Sequence, residues 1–565
     1  MRHSLALLAF ACAWSAAAED IVKSVDVAVP MRDGVRLSAN VFRPEAPRRY
    51  PTILVRTPYG KGRDLKPNYE DFVDHGYAVV VQDVRGRYRS EGVFRPLEQE
   101  PEDGDDTLNW IARQPWSDGR VGMLGGSYLG IVQWKVAVLD NPHLKAIFPA
   151  VSGCDDYRDR FYSNGGAMKL GQRLLWMSEN LREPAFHPDF SKFVLHLPLR
   201  TADVAATGES SDMFQEAIAH PAYDAFWKAR SVRERLDKVR VPVFSVGGWF
   251  DNFVESDLDA YEGLRKNSGV HRIMIGPWPH NMSNKFAGMD FGAEAYPSLR
   301  PIQLQWFDQF LKGTDTPLLS QPPVRLFVMG ANRWRDEREW PPPARPWRLY
   351  LESRGHANTL AGDGRLEWQA PPTSATPPPD RFVYDPADPV PTVGGAVCCN
   401  PKVFPWGPMD QQGVEARRDV LVYTTPPLKR DLEVIGLIRV VLFAATSERD
   451  TDFTAKLVDV FPDGHAQNLA DGIVRMRYRE SLEKPALVQP GEIYKLTIDA
   501  GVTGNVFLKG HRVRLEISSS NFPRFDRNPN TGGVVADETQ LRKASQTIYH
   551  DARRLSYVLL PMVND

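Results

Sequence analysis

As far as residue 340 the chain alternates continuous apolar runs with polar, helix-compatible stretches, and beyond it short alternating runs take over. Val25–Val29 and Val35–Phe42 alternate about the turn Met31–Gly34 and predict an opening β-hairpin. Thr52–Val55, Tyr77–Val81 and Val121–Leu124 are short apolar runs, and Val241–Val246, Arg272–Ile275 and Val324–Gly330 read as further buried strands. Continuous apolarity predicts strands buried on both faces, hence a mostly parallel sheet. Asp105–Gln114 and Ile131–Leu139 read as helices between them. The βα order predicts a doubly wound α/β domain in two parts, 19–154 and 237–340.

Between those parts, over 155–236, strand-like runs vanish. The segment carries Phe161, Tyr162, Trp176, Met177, Phe186, Phe190, Phe193, Phe214, Tyr223, Phe226 and Trp227 in helix-compatible stretches. It reads as a helical cap lying over the mouth of the sheet, with most aromatics in its own core and some shaping a pocket. Pro341–Pro343 marks a linker. From 347 to 565, short strands such as Arg348–Leu351, Val420–Tyr423, Leu432–Gly436, Phe453–Val460 and Arg512–Ile517 predict an all-β sandwich of jelly-roll type, with 371–380 as an exposed Pro-rich loop.

A chain of 565 residues is too long for one core. Its 69 Lys and Arg nearly balance 71 Asp and Glu, so no global field draws it to nucleic acid or an anionic membrane. Residues 1–18 have a positive start at Arg2, an apolar Leu5–Trp14 and a small-residue site at Ala16–Ala18. That pattern predicts a signal peptide cleaved near Ala18, and so an exported protein, periplasmic or secreted. No later run reaches about 18 uninterrupted apolar residues, so no membrane span is expected. Once Cys12 leaves with the signal, Cys154, Cys398 and Cys399 remain, which is neither a disulfide framework nor a metal-ligand spacing. Buried thiols are expected, with a bridge between the neighbours Cys398 and Cys399 as the alternative. The acidic run Glu102–Asp106 lacks the twelve-residue calcium-loop pattern and is read as the start of a helix. No cofactor or metal is expected.

The candidate chemistry centres on Gly125-Gly126-Ser127-Tyr128-Leu129-Gly130, a serine at a strand-to-helix turn. Such an elbow lifts the hydroxyl above the sheet and leaves the next N–H free for an oxyanion. The bland alternative is a turn whose serine only caps the helix, and Leu129 stands where the generic elbow has a small residue. A serine nucleophile needs a base and a group that orients the base. Asp251 and His280 each follow a predicted buried strand in the order Ser, Asp, His, and loops at the carboxyl ends of parallel strands share one edge. The rivals Asp257 and His271 lie in a helix-like segment and at a strand start. Tyr128 N–H is one oxyanion donor by elbow geometry. The second is expected from Arg56–Lys61, either a backbone N–H or the Tyr59 hydroxyl.

Several motifs together resemble the cocaine esterase family of serine hydrolases, which is related to α-amino acid ester hydrolases and X-prolyl dipeptidyl peptidases. They are Arg56-Thr57-Pro58-Tyr59, Gln82–Tyr88 with Ser90-Glu91-Gly92, the Gly-x-Ser-Tyr-x-Gly elbow, Gly248–Asp251, Gly276–His280, and Val328–Gly330 with Trp334–Glu337. In that group glycine belongs at the later elbow position, so Leu129 fits. The resemblance implies an α/β-hydrolase domain with a helical cap and a C-terminal jelly roll. It also implies that the Tyr59 hydroxyl joins Tyr128 N–H in the oxyanion hole. The amino acid ester hydrolases carry carboxylates just after the triad aspartate to hold a substrate ammonium. Phe253 and Val254 occupy those positions here.

The reading is therefore an exported serine hydrolase that cleaves small-molecule esters, or amides, through an acyl-enzyme, with a neutral or apolar acyl group. Asp155, Asp156 and Asp159 could bind an amine, but pairing with Arg158 or Arg160 on the surface is expected for them. Two alternatives stand beside it: an amine-requiring ester hydrolase, peptidase or β-lactam acylase, and a non-catalytic carbohydrate- or surface-binding protein.

Overall fold

The computed structural model describes residues 20–563, apart from 183–185, 187, 268, 284, 287 and 288. The signal-like stretch 1–18 lies outside the described residues. The hairpin forms as β1 (Ile21–Pro30) and β2 (Arg36–Pro44), paired antiparallel. The buried runs become β3 (Tyr50–Thr57), β4 (Ala78–Asp83), β5 (Ser117–Gly126), β6 (Leu144–Ala150), β7 (Val243–Phe250), β8 (His271–Pro279) and β9 (Val324–Val328). With an antiparallel edge strand β10 (Arg333–Glu337), they make a ten-stranded sheet in the order β1-β2-β4-β3-β5-β6-β7-β8-β9-β10. From β4 across to β9 all neighbours are parallel. Helices α1 (Pro67–Asp74), α2 (Glu100–Ala112) and α3 (Tyr128–Ala137) connect the early strands, and the acidic run falls in the first turns of α2. There it is neutralised: Asp103 pairs with Arg85, and Asp105 and Asp106 with Arg32.

Strand β6 escapes the sequence pattern. Lys145 and Pro149 interrupt its apolar run, and a proline argues against a central strand. Pairing with β5 and β7 overrides that local signal, and the irregular ladder is completed by a side chain, Phe148 N–H donating to Gln133 Oε1 at 3.0 Å.

The segment after β6 is helical, from a short π-helical turn at Asp156–Phe161 to α4 (Leu170–Asn180) and the helix at Asp212–Ala219. Most of its aromatics pack on one another, with Tyr157, Phe161, Tyr162, Phe193, Phe214, Tyr223 and Trp227 in one buried cluster. From Arg345 on, eleven strands form one hydrogen-bonded β network. Its backbone is the long pair Leu432–Thr446 and Tyr494–Phe507, and a single apolar core runs from Trp249 and Phe327 into Leu349, Val434 and Ile498. The same β region supports the cap: Gly171 N–H donates to Pro523 O at 2.7 Å, and Met168 N–H to Asp526 Oδ1 at 2.7 Å.

Candidate active site

Ser127 follows β5 directly and sits at φ 57°, ψ −127°, a conformation that non-glycine residues rarely adopt. The glycines of the elbow make this turn fit. A Cβ on Gly125 would lie 2.5 Å from Leu129 Cβ, and one on Gly130 would lie 2.6 Å from Ser152 Cβ. Leu129 thus fills the space left by Gly125, while Gly130 lets α3 approach the end of β6, which is why the small residue stands one position late. Ser127 makes no side-chain cap to its helix. Its hydroxyl faces His280 instead, Oγ to Nε2 at 2.9 Å.

His280 comes from the turn just after β8 and Asp251 from the turn just after β7. His280 Nδ1 lies 2.7 Å from Asp251 Oδ1, and Asp251 is fully buried. An ionised carboxylate only accepts, so Nδ1 carries the proton and Nε2 presents its lone pair to Ser127. The second carboxylate oxygen, Oδ2, accepts from Phe253 N–H at 3.3 Å. The rivals lie elsewhere. Asp257 accepts from Gly153 N–H at 2.9 Å, and the His271 ring is buried with no hydrogen-bond partner for either nitrogen among the described residues, its pKa lowered to about 4 by burial.

Tyr59 lies two residues beyond β3. Trp176 Nε1, on α4 of the cap, is 3.1 Å from the Tyr59 hydroxyl oxygen. An indole N–H is donor only, so it occupies a lone pair of that oxygen and leaves the phenolic proton free to donate toward the site. Tyr59 is 38 % exposed as a whole residue, while its hydroxyl sits between Trp176 and Ser127. Burial raises the phenol pKa, opposed by hydrogen bonds to Trp176 and Ser127, so Tyr59 stays a neutral donor. The Tyr128 N–H, first in α3, makes no hydrogen bond among the described residues. The Tyr128 side chain is anchored behind it, donating from its hydroxyl to Glu100 Oε1 at 2.8 Å, and Glu100 in turn pairs with the fully buried Arg56 at 2.6 Å. Burial raises the Tyr128 pKa well above the ordinary value, and Glu100 adds to the effect.

Trp176 and the supporting pair Arg56–Glu100 are contributions that sequence reasoning did not single out. Trp176 was one of many cap aromatics. It alone among them lines the catalytic cavity of about 30 Å³, while Phe161, Phe226 and Trp227 line a neighbouring cavity of about 590 Å³. The two cavities share Pro96, Leu97, Arg160 and Met213. Cys398 and Cys399, from the β region, also line the catalytic cavity and are joined by a disulfide, so the expectation of free thiols fails for this pair and holds only for buried Cys154. Two cysteines adjacent in sequence carry no spacing signal for such a link.

The aspartates at the cap entrance also depart from expectation. Asp155, Asp156 and Asp159 are buried, not on the surface. Asp156 pairs with Lys135 and Arg160, and Asp155 with Arg158 at 3.7 Å. Asp159 Oδ2 accepts from Asp155 N–H at 2.6 Å, and burial raises the Asp159 pKa well above the usual carboxylate range. Phe253 lines the cavity beside His280, ring centroids 5.6 Å apart.

A hydroxyl, an imidazole and a carboxylate in hydrogen-bonded line at the carboxyl ends of β5, β8 and β7, on an α/β-hydrolase fold, define a serine hydrolase. Comparison with known proteins makes the class particular. Residues 33–282 match the X-Pro dipeptidyl-peptidase (S15 family) model, and residues 319–559 its C-terminal non-catalytic domain. Cocaine esterase from Rhodococcus sp. (strain MB1 Bresler) is 41% identical over 95% of this chain and 98% of its own length. An aminopeptidase from a marine sediment Thaumarchaeota archaeon superposes with a TM-score of 0.85 at 28% identity, covering 100% of this chain and 99% of its own. An α-amino acid ester hydrolase gives 0.82 at 27% identity, covering 98% of each chain. The chain belongs to the cocaine esterase-like family of serine hydrolases, and it is a hydrolase acting on esters. The reading as a non-catalytic binding protein is thereby set aside.

Proposed function

We propose that this protein is an exported esterase that cleaves small-molecule carboxylic esters through an acyl-enzyme on Ser127 and requires no amino group on the substrate. The observation that carries the mechanism is the unbroken line from Asp251 through His280 to Ser127 at 2.7 and 2.9 Å. Ser127 Oγ attacks the ester carbonyl as His280 Nε2 takes its proton. The oxyanion receives the Tyr59 O–H and the Tyr128 N–H. Collapse expels the alcohol, which leaves with the proton from Nε2. Water then repeats the sequence, its proton passing to His280, and frees the acid. Asp251 keeps the imidazole in the productive tautomer and stabilises the imidazolium.

The fold-level likeness to an α-amino acid ester hydrolase and an aminopeptidase favours a second reading, in which the substrate carries a free amine. A desolvated ammonium needs an anionic partner. No Asp or Glu lines the catalytic cavity among the described residues, and Phe253 occupies the wall beside His280. An amino acid aryl ester is therefore expected to show a kcat/KM no higher than that of its des-amino analogue. A strong preference for the amine-bearing member would overturn the amine-independent reading.

Export rests on the pattern of residues 1–18. The protein recovered from the medium or periplasm is expected to begin just after Ala18 by N-terminal sequencing. An intact N-terminus on protein confined to the cytosol would refute export.

A further inference from the structure

The catalytic cavity is cationic. Apart from His280, the titratable groups on its wall are Tyr59, Tyr128, Arg160, Arg173 and two disulfide-bonded cysteines, among the described residues. Arg160 is paired with Asp156. Arg173 has no such partner among the described residues. It projects from α4 one turn before Trp176, the residue that holds the Tyr59 hydroxyl, and is nine-tenths buried. Its Nε donates to the Arg160 carbonyl at 3.0 Å, and its guanidinium lies over the rings of Phe161 and Trp176 at 4.7 and 5.6 Å from their centroids. It forms no ion pair with a carboxylate among the described residues.

Burying a guanidinium without an anion is costly, and a protein interior ordinarily supplies a carboxylate. The aromatic faces offset part of that cost. Arg173 lines the catalytic cavity, and its terminal nitrogens, a planar fork suited to a carboxylate, form no hydrogen bond among the described residues. Burial lowers the guanidinium pKa to about 10, so it is still charged at neutral pH.

We propose that Arg173 receives a carboxylate carried by the substrate, so that the site selects anionic esters over their neutral counterparts. The proposal deepens the esterase reading above and rests on it. The charge can reside on the departing alcohol or on the acyl group, because the catalytic cavity adjoins the larger one and shares Arg160 and Met213 with it. In both cases the recognised chemistry is a carboxylate beside the scissile ester.

The test uses the full chain and two matched pairs. The first is 4-acetoxybenzoate against methyl 4-acetoxybenzoate, with the charge on the alcohol. The second is mono(4-nitrophenyl) adipate against its methyl ester, with the charge on the acyl chain. In at least one pair the wild-type protein is expected to show the higher kcat/KM for the anionic member, and which pair does so tells where the carboxylate sits. Arg173→Met is expected to lower the anionic-to-neutral ratio in that pair by about 10- to 100-fold, expressed in KM, with Arg173→Lys recovering part of it. Wild-type preference for the neutral ester in both pairs overturns the proposal, and this arm stands even if Arg173→Met does not fold. Equal losses on both members, expressed in kcat, overturn it too and assign Arg173 to support of Tyr59 and Trp176. If none of the four esters is hydrolysed and a fluorophosphonate fails to label Ser127, the esterase reading itself falls, an outcome distinct from hydrolysis without anionic preference.

Discussion

Ser127→Ala is expected to lower kcat on a short-chain aryl ester by roughly a million-fold and to abolish labelling by a fluorophosphonate. Ser127 Oγ stands 2.9 Å from His280 Nε2, and no other hydroxyl contacts that nitrogen among the described residues. The change leaves the fold a clean control. Alanine meets the same unfavourable φ of 57° as serine, Ser127 makes no cap to its helix, and the thermal midpoint is therefore expected to stay close to wild type. Turnover or labelling that persists in a folded Ser127→Ala protein would remove Ser127 as the nucleophile.

Tyr59→Phe is expected to lower kcat by about 10²- to 10³-fold with little change in KM, the loss typical of one oxyanion donor. The ring survives the change, and with it the edge-on contact to Tyr128 at 6.3 Å, so only the O–H is removed. The donor matters chiefly in the transition state, where the carbonyl oxygen gains charge, and the effect therefore falls on kcat. The reaction of Ser127 with a fluorophosphonate should slow in parallel, because phosphonylation develops charge on an oxygen in the same place. Wild-type kcat in Tyr59→Phe would leave the second donor to a backbone N–H of the Arg56–Lys61 loop.

The two substitutions also separate what each part of the fold contributes. Ser127, His280 and Asp251 stand on strand ends of the α/β domain, whereas the orientation of the Tyr59 hydroxyl depends on Trp176 of the cap. The cap helix is in turn held by hydrogen bonds to Pro523 and Asp526 of the β region. Perturbing that distant contact should thus act on Tyr59 before it acts on the Ser127–His280 pair.

Much of this was legible in the sequence because the signals were local. Strands buried on both faces have to be apolar throughout, so β3, β4, β5, β7 and β8 announced themselves, and the loops that follow them held Tyr59, Ser127, Asp251 and His280. The elbow glycines were visible too, although the reason for Gly130 was not, since it lies in Ser152, more than twenty residues away along the chain. Strand β6 was hidden because Pro149 is a poor strand residue that only two paired neighbours can hold in place. The aspartates 155, 156 and 159 looked like a solvated charge run, because a sequence does not say whether a charge has been given a buried partner.

The sequence by itself determined the order of the α/β domain, the β-rich tail, and the candidate serine, histidine and aspartate, because hydrophobic periodicity and strand-end position act over a few residues. Only the tertiary structure decided what surrounds them: the Trp176 indole on the Tyr59 hydroxyl, the buried guanidinium of Arg173 on the cavity wall, and the Cys398–Cys399 disulfide brought from the β region to the same wall. These groups come from segments far apart in the chain, and the cost of burying a charge or a donor depends on which neighbours arrive with it, which no local pattern encodes.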